Sequence, residues 1–380
     1  MNAAFQLSLL YGGMFLVVGI MMPFWPVWLE AKGLTPPQIG LVIAAGSLIR
    51  AFVGPLSARF ADRTGERKRV MAILSTLSFI FFMPFAIVDS FAAILILQAC
   101  LIGVMGPIMP LSESLTMLGA KRHGLDYGRI RLWGSLTFIL GASGVGYCLK
   151  GAEPDLIWQA IAIAIALYAL GTYIAPDFRS TPSPKSEGPG PITRVLTDKT
   201  FVIFVAATAC IQGSHALLYS FGTINWLRMG FSEGVIGLLW AEGVLAEVIL
   251  FVFAANAIKR IGPARLIALG GLACLLRWSM TPFAESLWAI AALQIMHAFT
   301  FGATHLGAIY FIADRMPEEI SATAQTLYAL IVSGFGLGLI SVLSGHLYED
   351  YAGDAFFAMA IFGGIGMLLA WSIRRRHPVH

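Results

Sequence analysis

Apolar runs of about twenty residues alternate along this chain with short polar segments. A bilayer's hydrocarbon core is about 30 Å thick, so a helix rising about 1.5 Å per residue needs about 20 residues to cross it. The runs have that length. They are continuous, which excludes a transmembrane β-barrel, whose strands alternate over segments of about 10 residues. Twelve spans are expected, at 5–29, 38–58, 70–89, 91–117, 131–150 and 156–175, then 199–223, 234–257, 266–284, 287–312, 320–345 and 355–373. The fold class is an all-α membrane protein of twelve transmembrane helices.

The longest polar interruption runs from Ala175 to Arg194 and is rich in proline, serine and glycine, the composition of a flexible linker. It divides the chain into a six-helix bundle at 1–175, a cytoplasmic linker at 176–198 and a second bundle at 199–380. The two halves look duplicated. Gly33, Ile39-Gly40-Leu41, Arg50 and Gly65 are matched by Gly230, Ile236-Gly237-Leu238, Glu247 and Gly262, at a constant offset of 197 residues. Duplicated halves place a transporter's binding site between them, near the membrane midplane. The same offset pairs Arg50 with Glu247, so one mid-helix position carries opposite charge in the two halves.

Composition agrees with a membrane protein. Only 12% of residues are charged and 58% are hydrophobic, against about 25% charged in ordinary soluble domains. The net charge of +4 does not signal nucleic acid, because the basic residues sit in loops. Arg59, Arg63, Arg67, Lys68, Arg69, Lys121, Arg122, Arg129, Lys259, Arg260, Arg265 and Arg315 fall on one side. Lys32, Lys150 and Arg228 fall on the other. The positive-inside rule makes the first side cytoplasmic, and the tail Arg374-Arg375-Arg376 joins it. Both termini are then cytoplasmic in a bacterial-type inner membrane. The first apolar run lacks a basic n-region and is too long for a signal-peptide h-region, so it is expected to be a retained span. Cys100, Cys148, Cys210 and Cys274 lie in apolar segments with no CxxC spacing, and are expected to be packed small hydrophobes.

Ionisable residues inside apolar spans are the candidate chemistry, because a charge in lipid is costly and usually faces a cavity or a partner. Glu247 lies mid-span, where a carboxyl exchanging a proton for a cationic partner would couple proton flow to transport; the alternative is a fixed ion pair with Arg277. His297 and His305 are eight apart, about 80° round a regular helix, so both are placed to border one cavity as relays or solute ligands. Each, like His215, has a structural alternative as a packed histidine. Arg50 suits a bidentate grip on a carboxylate, or an ion pair with Glu113 or Glu247. Trp25, Tyr219 and Trp240 either line a pathway or pack. Two histidines eight apart make no metal signature. With no GxxxxGK[ST] there is no sign of an ATP-driven pump, and no enzyme signature or cofactor is expected.

Two loops then carry a resemblance. Ala58-Arg59-Phe60-Ala61-Asp62-Arg63-Thr64-Gly65-Glu66-Arg67-Lys68 resembles the G-x-L-x-D-R-x-G-R-K loop of the major facilitator superfamily. Ala58 replaces its first glycine and Glu66 is an insertion. In that family the loop gates the cytoplasmic side, which would give Asp62, Arg63, Gly65 and Arg67 a gating role. The chain is also similar to the proton-coupled branch that holds lactose permease and the 3-phenylpropionate permeases. The likeness rests on Pro23-Phe24-Trp25-Pro26-Val27-Trp28-Leu29, on Gln212-Gly213-Ser214-His215-Ala216, on Glu113 eighteen residues before Arg131, and on Arg277 twenty before His297. The resemblance implies that Glu113 and Arg131 bind solute and that Arg277 and His297 handle protons. Lactose permease has a glutamate three residues after its histidine; here Thr300 stands there, which leaves Glu247 as the first candidate proton carrier.

The expectation is a secondary transporter, a proton symporter working as a monomer by alternating access. Its solute would be a small organic molecule, an aromatic carboxylate such as a phenylpropionate being suggested. A sugar or nucleoside symporter, or a proton-driven efflux antiporter, is the same-fold alternative. A transport-dead sensor is disfavoured by a largest loop of about twenty residues. The expected topology is checked by C-terminal fusions: a fluorescent protein should glow and alkaline phosphatase should be inactive, and the reverse result would overturn the orientation.

Overall fold

The computed structural model describes residues 2–179 and 190–376, with side chains apart from those of Asp62, 190–191, 254–259, 318–319, 322 and 374–376. Part of the expected linker, and the side chains of Asp62, Lys259 and the terminal arginines, thus lie outside the described residues. The helices of the first half are α1 (Ala3–Ala31), α2 (Pro36–Thr64), α3 (Arg67–Phe82), α4 (Phe91–Met105), α5 (Ile108–His123), α6 (Tyr127–Leu149) and α7 (Asp155–Ile174). Then come α8 (Gly190–Thr197), α9 (Lys199–Gly213), α10 (Ala216–Arg228), α11 (Glu233–Ile261), α12 (Pro263–Met280), α13 (Leu287–Ile295), α14 (Thr304–Arg315), α15 (Glu318–Ala329), α16 (Leu337–Tyr351) and α17 (Phe356–Arg376).

Eleven helical runs among the described residues are long and apolar enough to cross a membrane. The last, Thr323–Ile373, has 51 residues. At about 1.5 Å per residue that is roughly twice the bilayer core, so it holds two spans. They part at Ala352, which takes a φ of 47°. The helices outrun the expected spans mainly at their polar ends: α2 continues to Thr64 and α5 to His123. There, hydropathy falls off before helical hydrogen bonding does.

Local sequence sets the ends. Pro36 starts α2, with the Gln38 Oε1 accepting the Thr35 N–H at 3.0 Å. Gly65 ends it at φ 71°, its N–H reaching the Ala61 carbonyl at 2.9 Å. Ser90, Asp126 and Ser286 cap α4, α6 and α13 through their side chains.

The chain divides into two compact units: Met1–Lys185 with Trp226–Ala241, and Ser186–Asn225 with Glu242–His380. The second half expected at 199–380 therefore lends Trp226–Ala241 to the first unit. Glycines explain the attachment. A Cβ on Gly237 would stand 2.2 Å from the Ala142 carbonyl oxygen, and one on Gly146 2.5 Å from that of Glu233. Arg228 adds an ion pair with Glu30 at 2.7 Å. The core of this unit includes an aromatic cluster of Trp25, Trp28, Phe82, Phe85 and Trp158, with Trp25 and Trp28 stacked at 4.5 Å. In the other unit α12 packs along α17, with Trp278 stacked on Phe356, and Phe204 lies between Phe311 and Tyr328.

The polar loops are tied as well. Glu66 pairs with Arg69 at 3.1 Å and with Arg179 at 3.6 Å, so the residue inserted in the loop motif reaches the chain leaving α7. The Arg67 Nε donates to Ser114 Oγ at 2.9 Å, while Arg63 is exposed. Asp198 caps α9 through the Thr200 and Phe201 N–H groups and takes Arg315 Nε and Nη2 at 2.9 and 3.0 Å. Burial pushes the Asp198 carboxyl up, but the Arg315 and backbone hydrogen bonds outweigh it and hold the group below the usual carboxylate range. A depressed folded-state pKa gives stability that is present above the unfolded carboxylate's value, about 4, and is lost as pH falls through the folded one. Asp198→Asn should therefore lower the stability at pH 7 by no more than about 1 kcal/mol, and the melting temperature with it, for a pair partly open to solvent. The gap from wild type should narrow as pH falls below about 4, and a gap independent of pH would refute this account.

Candidate functional site

Arg277, on α12, is 1% exposed, and its surroundings are built to satisfy it. Its Nη2 donates to Gln294 Oε1, and its Nη1 donates to Thr300 Oγ1 at 3.2 Å and faces His297 Nδ1 at 3.4 Å. Its guanidinium carbon lies 4.5 Å from the centre of the Trp278 ring. Nε has no hydrogen-bond partner. None of the three bonded side chains is a carboxylate.

The protons in this cluster follow from the partners. The His215 Nδ1 faces the Ile211 and Gln212 carbonyls at 3.2 Å each, so Nδ1 carries the hydrogen and Nε2 is the acceptor. Thr300 Oγ1, 2.9 Å from that Nε2, must donate to it. Its lone pairs are then free for the Arg277 N–H. At His297 the order is opposite: Nδ1 faces a donor, so the hydrogen sits on Nε2, 3.9 Å from Glu247 Oε2. An ordered chain thus runs Glu247, His297, Arg277, Thr300, His215. Tyr219 interacts electrostatically with both Glu247 and Arg277.

Broken helices deliver these groups. The seventh span stops at Gly213 and restarts at Ala216, which frees the carbonyls that His215 takes up. The tenth span holds a π-helical stretch, Ala298–Ala303. Gln212 Nε2 donates to the Phe301 carbonyl within it at 3.4 Å, beside the Thr304 N–H that the same oxygen accepts. The wider turn also takes less rotation per residue. His297, Phe301 and His305 therefore stack in one column at 5.2 and 5.8 Å, where a regular helix would set the two histidines about 80° apart.

The first unit holds a second polar group. Arg131 lies over the Phe15 ring at 4.1 Å and beyond it Tyr11 at 5.9 Å, and it interacts electrostatically with Glu113. The buried hydroxyls of Tyr11 and Tyr168 have no hydrogen-bond partner. Arg50 lays its stem on α4's end: a Cβ on Gly106 would stand 2.3 Å from its Cγ. The structure does not bring Trp25 to either polar group. It is 2% exposed inside the aromatic cluster, with its N–H on Gln98 Oε1 at 3.2 Å. Trp240 is likewise buried, against Trp226 at 6.1 Å. Sequence reasoning did not single out Gln294 or Trp278, and cited Thr300 only as a replacement. Their uncharged side chains give no hydropathy signal, and only their spacing from Arg277 could have drawn attention. Among the described residues no cluster of His, Cys, Asp or Glu could hold a metal ion.

Comparison with known proteins identifies the family. Residues 4–359 match the model of the MFS_1 like family. The chain is 30% identical over 367 residues to a probable 3-phenylpropionic acid transporter of Escherichia coli, covering 96% of each chain. It is 25% identical to a maltose permease of Geobacillus stearothermophilus, covering 97% of this chain and 94% of that one. The crystal structure of a mutant of the nucleoside transporter NupG has the same fold, at a TM-score of 0.87, 18% identity and coverage of 98% and 99%. These likenesses, over a helical membrane fold with ionisable groups in its spans, make the chain a member of the MFS_1 like family and a secondary transporter of the major facilitator type.

Proposed function

We propose that this transporter is a proton symporter that imports a small organic acid, an aromatic carboxylate of the phenylpropionate kind, with Glu247 as its protonation site. The observation that carries the reading is the placement of the Glu247 carboxylate 3.9 Å from the Nε2 of a histidine whose other nitrogen rests on buried Arg277. A carboxylate there is held by the cationic centre through His297. Once protonated it loses that attraction, and the guanidinium gains capacity for another anion. Arg277 keeps one N–H, on Nε, without a partner for a carboxylate to take, and the His297–Phe301–His305 column offers aromatic surface beside it. The relative named as a phenylpropionic acid transporter supports that solute class. Glu113 and Arg131, with Arg50, Tyr219 and His215, are the further proposed solute ligands, and the Asp62–Arg67 loop is the proposed gate. The protein is proposed to act as a monomer in a bacterial inner membrane, with residues 1–175 and 199–380 as the moving halves and both termini cytoplasmic.

A sugar is the second reading, favoured by the maltose permease match. Competition separates the two: in proteoliposomes, excess unlabelled phenylpropionate should block labelled phenylpropionate uptake and maltose should not. Uptake should fall to the equilibration level with a protonophore, and insensitivity to it would overturn proton coupling. Glu247→Gln should abolish uphill uptake and solute-driven proton entry while leaving solute exchange within about threefold of wild type. Thr300→Val, which breaks the Arg277–Thr300–His215 chain, should cost at least about tenfold in initial rate, in line with loss of a buried hydrogen bond to a charged group. Thr300→Ser should keep most activity, and equal loss in both variants would point to packing alone.

A further inference from the structure

At the end of the second unit where α11 turns into α12, an open groove of about 350 Å³ runs between α12 and α17. Its walls are apolar: Leu269, Leu272, Met367 and Trp371. The two helices touch at its edge, where a Cβ on Gly271 would stand 2.7 Å from the Met367 backbone nitrogen. Leu269, Leu272 and Trp371 are 44%, 39% and 43% exposed, so the slot is open along its length. Arg260 and Arg265, also in its lining, stand on either side of the Gly262 turn, and both are exposed. The sequence adds Lys259 beside them and Arg374-Arg375-Arg376 at the end of α17.

We infer that this groove is a binding site for an anionic phospholipid of the inner leaflet, with the phosphate at Arg260 and Arg265 and an acyl chain laid along Leu269, Leu272, Met367 and Trp371. The inference rests on the cytoplasmic placement of the α11–α12 turn, and not on the identity of the solute. The chemistry fits a lipid better than a free anion. The apolar slot leads away from two guanidinium groups at one end, as an acyl chain leads from its head. Basic pockets between transmembrane helices on the cytoplasmic side attract acidic lipid heads, and a tryptophan at that level suits the interface. A zwitterionic lipid would fill the slot equally but gain no net charge attraction at the arginines.

The test is lipid retention by the purified full-length protein in detergent, read by native mass spectrometry during titration with phosphatidylglycerol or phosphatidylcholine. Wild type should retain one phosphatidylglycerol at concentrations where phosphatidylcholine is lost. The double variant Arg260→Gln with Arg265→Gln should weaken phosphatidylglycerol about thirtyfold and leave phosphatidylcholine unchanged, since each of the two basic residues near a membrane surface contributes about 1 kcal/mol. Leu272→Trp, which fills the slot and leaves the arginines in place, should weaken it as well. Soluble glycerol phosphate at equal concentration should not compete. Equal retention of both lipids by wild type, unchanged retention in both variants, or displacement by glycerol phosphate would overturn the site.

Discussion

A guanidinium without water is the constraint around which the second unit is arranged. Arg277 is almost wholly buried, and a charge taken out of water costs several kcal/mol unless its donors are met. Its neighbours meet it with neutral acceptors: an amide, a hydroxyl and an imidazole nitrogen. That choice has consequences. A carboxylate in direct contact would neutralise the charge and close the site to other anions. Neutral acceptors satisfy donors without cancelling charge, so the positive potential remains available to Glu247 through His297 and to the anionic solute proposed above.

The irregular helices follow from the same need. A regular span keeps every interior carbonyl in its own ladder and offers only side chains. The gap between α9 and α10 and the π stretch before α14 release carbonyls inside apolar surroundings, where an unmet polar group is expensive. His215 and Gln212 answer them. Those side chains are thereby fixed, and His215 can accept from Thr300 only because its other nitrogen is committed to backbone. The third break, the π stretch Leu330–Gly336, lies against the first: a Cβ on Gly213 would stand 3.5 Å from the Gly336 carbonyl oxygen and 2.3 Å from Ile340 Cδ1.

Hydropathy alone made the spans legible, because length and apolarity are summed over twenty residues and single errors do not matter. The ionisable candidates were legible for the same reason, as Glu247 and Arg277 stand out against leucine and alanine. Their partners were not. Gln294 and Thr300 are ordinary in a helix, and their role depends on which face of which neighbour they meet. Nor could period 3.6 foresee that His297 and His305 share one column, since the π stretch is a departure from that period. Trp25 shows the opposite failure: an aromatic at a helix end is as compatible with packing as with lining, and the ring neighbours Trp28, Phe82 and Phe85 lie elsewhere in sequence or one turn away.

The spacing of the glycine contacts in the two units bears on the bulge itself. In the first unit Gly46 packs on Ile102 and Arg50 on Gly106; in the second Gly243 packs on His297 and Glu247 on Gly302. Gly46 and Arg50 are four apart, as are Gly243 and Glu247, and both pairs keep the 197-residue offset. On the partner helix Ile102 and Gly106 are also four apart, whereas His297 and Gly302 are five. The extra residue falls within the π stretch Ala298–Ala303, which takes it up without breaking the contact on either side. The extra residue of spacing in the second half thus coincides with the wider turn, which sets His297 in line with His305. The same contact carries Arg50 in one half and Glu247 in the other, each resting its stem against a glycine. A small residue opposite a long charged one is what the packing requires of both halves; the sign of the charge was left for function to choose.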